Sequence, residues 1–191
     1  MVKDTIIILG DSPFIGTLQT ELPVLLQKFY SIGINNIISR YHTNAHIFLD
    51  RHYVPLTNRF PGKTITIQCY KGLILKEDKD LVDAFPFNSR KNTEQDICKG
   101  DKIAYCGFTH DYAISYCIKQ GCRHIVLVGA GDFQKGPHFS HPNTFKFYNK
   151  ADKNSKNFID NYVTKVVDIK TLNSESYLAI PRISIDDLLK I

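Results

Sequence analysis

No apolar run in this 191-residue chain approaches the roughly 20 residues that a membrane-spanning helix needs. The opening Met1-Val2-Lys3-Asp4 puts an acidic residue directly before the first apolar stretch, which argues against a secretory signal and makes the cytoplasm the expected location. Five cysteines are present, Cys69, Cys98, Cys106, Cys117 and Cys122, but no two form a CxxC pair. An odd count without metal-type spacing argues against a structural zinc site or disulfide, and predicts reduced, mostly buried thiols. There is no long arginine run and no basic face interleaved with aromatics, so nucleic acid is not expected as the main partner. The chain also lacks a GxGxxG fingerprint, a Walker loop, an internal repeat and any low-complexity tract.

What is present is the composition of an ordinary globular protein, 43% apolar and 23% charged. The length suits one domain over residues 1–191, with enough chain to bury a substantial core. A net charge of +5 suits an anionic ligand, and equally a moderately basic solvated surface with local richness at 146–156. Twelve Phe and ten Tyr in one chain favour self-association through exposed aromatics.

Hydrophobic patterning supplies the fold. Residues 5–9 (TIIIL) are a short, continuous, β-branched run ending at Gly10, the pattern of a parallel strand buried on both faces. A helix is predicted from Leu22-Pro23 to about Tyr30, with Leu22, Leu25, Leu26 and Phe29 as its buried stripe. Further strands are predicted over 33–38, 45–50, 63–68 and 101–105, with 76–100 as loop and at most one short helix. Thr109-His110-Asp111 opens an amphipathic helix carrying Ala113, Ile114, Cys117 and Ile118, Gly121 ends it, and a strand follows over 124–128. Late strands are expected at 162–167 and 177–180, and a small terminal helix at 185–189. Strands interspersed with helices predict an α/β, Rossmann-like (GT-A-variant-like) three-layer domain with a mostly parallel sheet.

Open α/β sheets bind ligands just beyond the carboxyl ends of their strands, and several polar residues fall there. Gly10-Asp11-Ser12-Pro13 follows the first strand, where a tight turn with backbone amides can hold a ribose, base or phosphate; it is also an ordinary strand-to-helix turn. Asn35 offers donors and acceptors to a base or sugar, and Asp50 can meet a sugar hydroxyl or a divalent cation, although Asn and Asp favour turns for their own reasons. Thr109 and His110 begin a helix, either as a plain cap or as a phosphate-facing end. Asp132, His138 and His141 lie past the glycine turn Gly129-Ala130-Gly131; a histidine is the default acid or base near neutral pH, and two exposed loop histidines are the alternative.

Taken together these motifs resemble the bacterial lipooligosaccharide sialyltransferases of glycosyltransferase family 42. They also resemble the related motility-accessory-factor and 6-hydroxymethylpterin diphosphokinase-like group, most nearly its small phage-type members of unassigned activity. The residues that carry the resemblance are Gly10 to Pro13, Gly33-Ile34-Asn35, a strand ending in Asp50, the Thr109 turn with Gly121 and Gly129, the loop His138-Phe139-Ser140-His141-Pro142, and Asn173, Ser176 and Pro181. His110 stands where that group has glycine, Gly129 to Asp132 is one residue longer than G-x-D, and the histidine loop is shorter. The resemblance implies a nucleotide-sugar-dependent transferase in which Asp11, Asn35 and Thr109 hold the nucleotide and His138 or His141 moves the proton. Two other functions remain open at this point. One is a diphosphotransferase using ATP and Mg²⁺, with Asp50 and Asp132 as ligands; the other is a nucleotide-binding protein without catalysis. The missing acceptor region would come from a second subunit.

Overall fold

The computed structural model describes residues 4–86, 97, 103–104, 106–131 and 149–191, with the backbone alone at 149–152. Seven strands form one sheet in the order β5-β4-β3-β2-β1-β6-β7, and all its pairings are parallel. They are β1 (Thr5–Leu9), β2 (Tyr30–Ile34), β3 (Ala45–Ile47), β4 (Lys63–Ile67), β5 (Val82–Phe85), β6 (His124–Val128) and β7 (Asp168–Thr171). The helices are α1 (Leu22–Lys28), α2 (Val54–Arg59), α3 (Thr109–Lys119), α4 (Asn149–Asn161) and α5 (Ile185–Lys190), joined by short 3-10 turns. Helices cover both faces, so the expected three-layer α/β arrangement is present.

Side-chain alternation along the strands divides the core in two. Ile6, Ile8, Ile32, Ile34, Ile125 and Leu127 face α3 and α4, whose Ala113, Ile114, Cys117, Phe158 and Ile159 are all buried against them. Ile7, Leu9, Val126 and Val128 face the other way, onto Ile15, Leu18, Leu22, Leu25 and Leu188 of the 13–18 turn, α1 and α5. Each such side chain, fully buried, contributes about 1.5–3 kcal/mol. α3 is buried at every position from Thr109 to Cys117, and its tyrosines tie it to the sheet: Tyr112 Oη donates 2.9 Å to the Thr66 carbonyl and Tyr116 Oη donates 2.9 Å to Asp83.

Several elements differ from the sequence reading, each for a physical reason. β2 begins at Tyr30 and stops at Ile34, because Asn35 adopts φ +53° and turns the chain into a 3-10 helix over Asn35–Ser39. β3 is short, ending at Ile47. The region read as loop contains β5, an edge strand whose residues after Val82 are only half-buried, so it carries no strong apolar run. Residues 162–167 are not a strand: they follow the end of α4 at Asn161 and hold a 3-10 turn at Val163–Lys165. The last strand is β7, where Ile169 and Thr171 are buried and Asp168 and Lys170 look outward, an alternation less apolar than the stretch before it. Residues 177–180 form no strand either, although Leu178 and Ile180 are buried. The proposed strand at 101–105 lies mostly outside the described residues. Cys106, Cys117 and Cys122 are buried free thiols as expected, whereas Cys69 is exposed. Among the described residues no helix is long and apolar enough to cross a membrane.

Candidate functional site

β1 and β6 are neighbours, but the chain leaves them in opposite directions. After β1 it packs onto the face holding α1, and α4, which follows β6, packs onto the face holding α3. This divergence is a topological switch point, the place where open α/β sheets form a crevice. The turns that follow β1 and β6 lock together there. The Gly10 amide donates 2.9 Å to the Val128 carbonyl, and the Ser12 amide donates 3.1 Å to the Gly129 carbonyl. A Cβ on Gly10 would lie 2.1 Å from the Gly129 oxygen, and one on Gly129 would lie 2.5 Å from Ile15. Gly10 is therefore required by backbone packing, and Gly129 by its left-handed φ of +65° against the Ile15 side chain. The Gly10 and Ser12 amides, expected to serve a ligand, are already committed to the chain itself, while the half-buried Asp11 and Ser12 side chains stay at this edge.

From the crevice the site continues as an arc. Gly131, at φ +68°, packs against His110, whose ring edge would lie 3.5 Å from an added Cβ. His110 is the second residue of α3, which runs antiparallel to the strands and starts at their carboxyl edge. Beside it, Thr109 Oγ1 donates 3.1 Å to the side-chain oxygen of Asn35, a contact spanning 74 positions of sequence. Gly10, Ser12, Thr109, His110 and Asn35 are thus gathered along one edge. Asp50 lies exposed beyond β3, where its carbonyl accepts from the Tyr53 amide 3.1 Å away. Asp132, His138 and His141 lie outside the described residues. Among the described residues, no three His, Cys, Asp or Glu side chains converge in a way that would hold a metal.

The start of α3 is not a simple anion site. Phe108, not Thr109, is the cap residue, and the fully buried Asp111 turns its Oδ2 back to accept from the Phe108 amide 3.1 Å away. Its Oδ1 accepts from the Ser155 hydroxyl on α4, and that same hydroxyl oxygen lies 2.9 Å from His110 Nε2. Ser155 has one hydrogen, so when it donates to Asp111 the imidazole must donate to Ser155. The proton order is His110 Nε2–H, Ser155 O–H, Asp111 carboxylate. Burial pushes the Asp111 carboxyl above its ordinary range, opposed by the His110 charge and then by hydrogen bonds from Ser155, Phe108 and Cys106. The Asp111 side chain already takes the Phe108 amide at the helix start, so the uncharged part of a ligand fits there better than its phosphate.

Sequence reasoning missed three side chains behind this edge, Ser155, His46 and Thr57. Ser155 carried no signal, because a serine in a polar helix looks like any solvated one. His46 and Thr57 stand behind Asn35, and nothing in a three-residue strand or a one-and-a-half-turn helix marks them. Asn173, beyond β7, is buried with Nδ2 lacking a hydrogen-bond partner among the described residues, while its Oδ1 accepts from the Glu175 amide at 2.9 Å.

The sheet and its edge define a Rossmann-like α/β protein with ligand-type side chains at a topological switch point. No protein-family model matches the chain, and no curated protein matches its sequence.

Proposed function

We propose that this protein binds a nucleotide or nucleotide sugar across the carboxyl edge of β1, β2 and β6, and transfers the sugar to an acceptor hydroxyl. The observation that carries the binding half is the Asn35–Thr109 contact, which joins two ligand-type side chains from distant parts of the sequence beside the switch-point crevice. Asn35 and Thr109 take the base, Asp11 accepts from a ribose hydroxyl, and the Ser12 hydroxyl lies toward the phosphates, away from the Asp111 carboxylate. The transfer half rests on the resemblance to the sialyltransferase group, with His138 or His141 moving the acceptor proton.

One observation favours a second reading, binding without turnover. His110 stands where the resembling group has glycine, and its side chain, 8% exposed, is committed to Ser155 and to packing on Gly131. That arrangement fills space a donor sugar would use.

A thermal-shift series with CMP, UDP, GDP, ADP, ATP and their common sugar conjugates, each with Mg²⁺ and with chelator, tests both. A ligand at 100 times its Kd stabilises the fold by about 2.7 kcal/mol, readily visible as a shift in Tm. A selective shift supports nucleotide binding, and its absence across the series ends that reading. Release of free sugar or sugar transfer from the bound conjugate separates the transferase from the binding-only protein, and a strict Mg²⁺ requirement with ATP would move the activity to diphosphate transfer.

A further inference from the structure

Asn35 is the one non-glycine residue with positive φ among the described residues, and it is also the residue that faces Thr109 at the start of α3. Asparagine tolerates a left-handed backbone better than other residues with a Cβ, and its surroundings decide whether it keeps one. What holds it is buried behind the edge. His46 in β3 is fully buried, and its Nε2 lies 2.9 Å from the Asn35 carbonyl oxygen. Its Nδ1 lies 3.1 Å from Thr57 Oγ1 on α2, and the ring is stacked on Phe48 and meets Phe60 edge-on.

The protons in this chain can be placed by counting. The Asn35 carbonyl only accepts, so His46 Nε2 carries a hydrogen. Burial holds the imidazole neutral, lowering its pKa to about 3, with the Asn35 bond pulling upward and the Lys76 charge pushing down. A neutral ring with Nε2–H has a bare Nδ1, which must accept from the Thr57 hydroxyl. That hydroxyl also lies 2.9 Å from the Tyr53 carbonyl, but its single hydrogen cannot serve both. Were it given to Tyr53, Nδ1 would face an oxygen lone pair with no hydrogen between them, unless the ring took a second proton in the core.

We propose that His46 is a positioning residue for ligand binding: oriented by the Thr57 hydroxyl, it donates from Nε2 to the Asn35 carbonyl, holds Asn35 in its left-handed conformation, and so aims the Asn35 amide along the carboxyl edge. The order runs Thr57 O–H to His46 Nδ1, His46 Nε2–H to Asn35 carbonyl, and Thr109 O–H to Asn35 Oδ1. Because Thr109 donates to the amide oxygen, Asn35 presents its NH₂ to the edge and selects a ligand with a hydrogen-bond acceptor there. This assignment rests on the nucleotide-binding reading for the identity of the ligand, but the positioning itself does not.

The test uses the full chain and two separate readouts. Nitrogen NMR of wild type reads the His46 tautomer, with Nε2–H expected; an Nδ1–H tautomer overturns the proposal. The strong amide-to-Hα cross-relaxation within Asn35 that a positive φ produces should vanish in His46→Leu and survive in His46→Gln, whose amide can replace the donor. Its survival in His46→Leu overturns the proposal. Affinity for CMP, UDP and ADP is then measured. Whichever probe wild type binds should bind His46→Leu about tenfold more weakly, and His46→Gln nearly as well as wild type, since a lost hydrogen bond of this kind is worth about 1 kcal/mol. Equal affinity in His46→Leu also overturns it. If wild type binds none of the probes, the nucleotide reading fails while the tautomer and Asn35 conformation still decide the positioning. Should His46→Leu not fold, Thr57→Val removes only the hydroxyl: Nε2–H stays on the Asn35 carbonyl but the ring loses its orienting partner, so the Asn35 cross-relaxation and the probe affinity should both weaken; if both are unchanged, the proposal is overturned.

Discussion

Gly10 and Gly129 approach so closely that a Cβ on Gly10 would lie 2.1 Å from the Gly129 carbonyl oxygen and 2.6 Å from the Ala130 Cα. Both obstacles are backbone, and neither can swing aside as a side-chain tip could. Gly10→Ala is therefore expected to push β1 and β6 apart at the switch point and to cost upwards of about 3 kcal/mol, the top of the range for overpacked sites. Urea unfolding measures this directly. A loss below about 1 kcal/mol would mean that the two turns are not interlocked as described.

Asn35 separates conformation from chemistry. At φ +53°, Asn35→Ala should cost about 1–2 kcal/mol for left-handed backbone at a β-carbon, whereas Asn35→Gly should stay within about 0.5 kcal/mol of wild type. Both lose the amide that meets Thr109. The expected outcome is a stable Asn35→Gly protein that no longer shifts with the nucleotide wild type prefers. An Asn35→Gly variant that binds normally would remove this side chain from the site.

How much of this could be read from the sequence follows from where each signal lies along the chain. β1 and β6 were legible to the residue, because fully buried parallel strands are continuous β-branched runs closed by glycine. α3 was legible from Thr109 and Gly121, its two ends. β5 and β7 were not, since edge strands alternate polar and apolar residues and look like loops. At the site, Gly10, Asn35 and Thr109 stood out because glycine, asparagine and threonine after a strand or before a helix have local causes. The partners behind them, His46 and Thr57 at Asn35 and Ser155 at the neighbouring His110, come from other elements, and a hydrogen bond across 11 or 45 positions leaves no local mark. The role expected of the Gly10 and Ser12 amides failed for the same reason: the segment that consumes them lies more than a hundred residues downstream.

His46 gives the protein a built-in sensitivity to acid. Its folded pKa of about 3 lies well below the ordinary 6.5, so between those values the unfolded chain binds a proton that the folded one refuses. Stability must then fall as pH drops from about 6.5 toward 3, by up to roughly 4 kcal/mol over the whole window. His46→Gln carries no titrating group and should flatten this part of the profile while remaining folded at neutral pH. Chemical denaturation between pH 7 and pH 4 on both proteins measures it. Parallel slopes would show that other groups govern acid unfolding.

Ser155 offers the sharpest check on the buried cluster at the head of α3. It is 0% exposed and contacts both His110 Nε2 and Asp111 Oδ1, so Ser155→Ala leaves a buried donor and a buried acceptor each short of a partner. The direct His110–Asp111 separation, 3.4 Å, is too long for a good replacement bond without movement. A loss of about 1–3 kcal/mol is expected. Asp111→Asn should also destabilise, since the carboxylate accepts the Phe108 amide that closes the helix start. The two changes act on one network, so the double variant should lose less than the sum of the singles, with a coupling of about 1 kcal/mol or more. Additive losses would mean that Ser155 and Asp111 stabilise the fold independently, and the proton order from His110 through Ser155 to Asp111 would have to be abandoned.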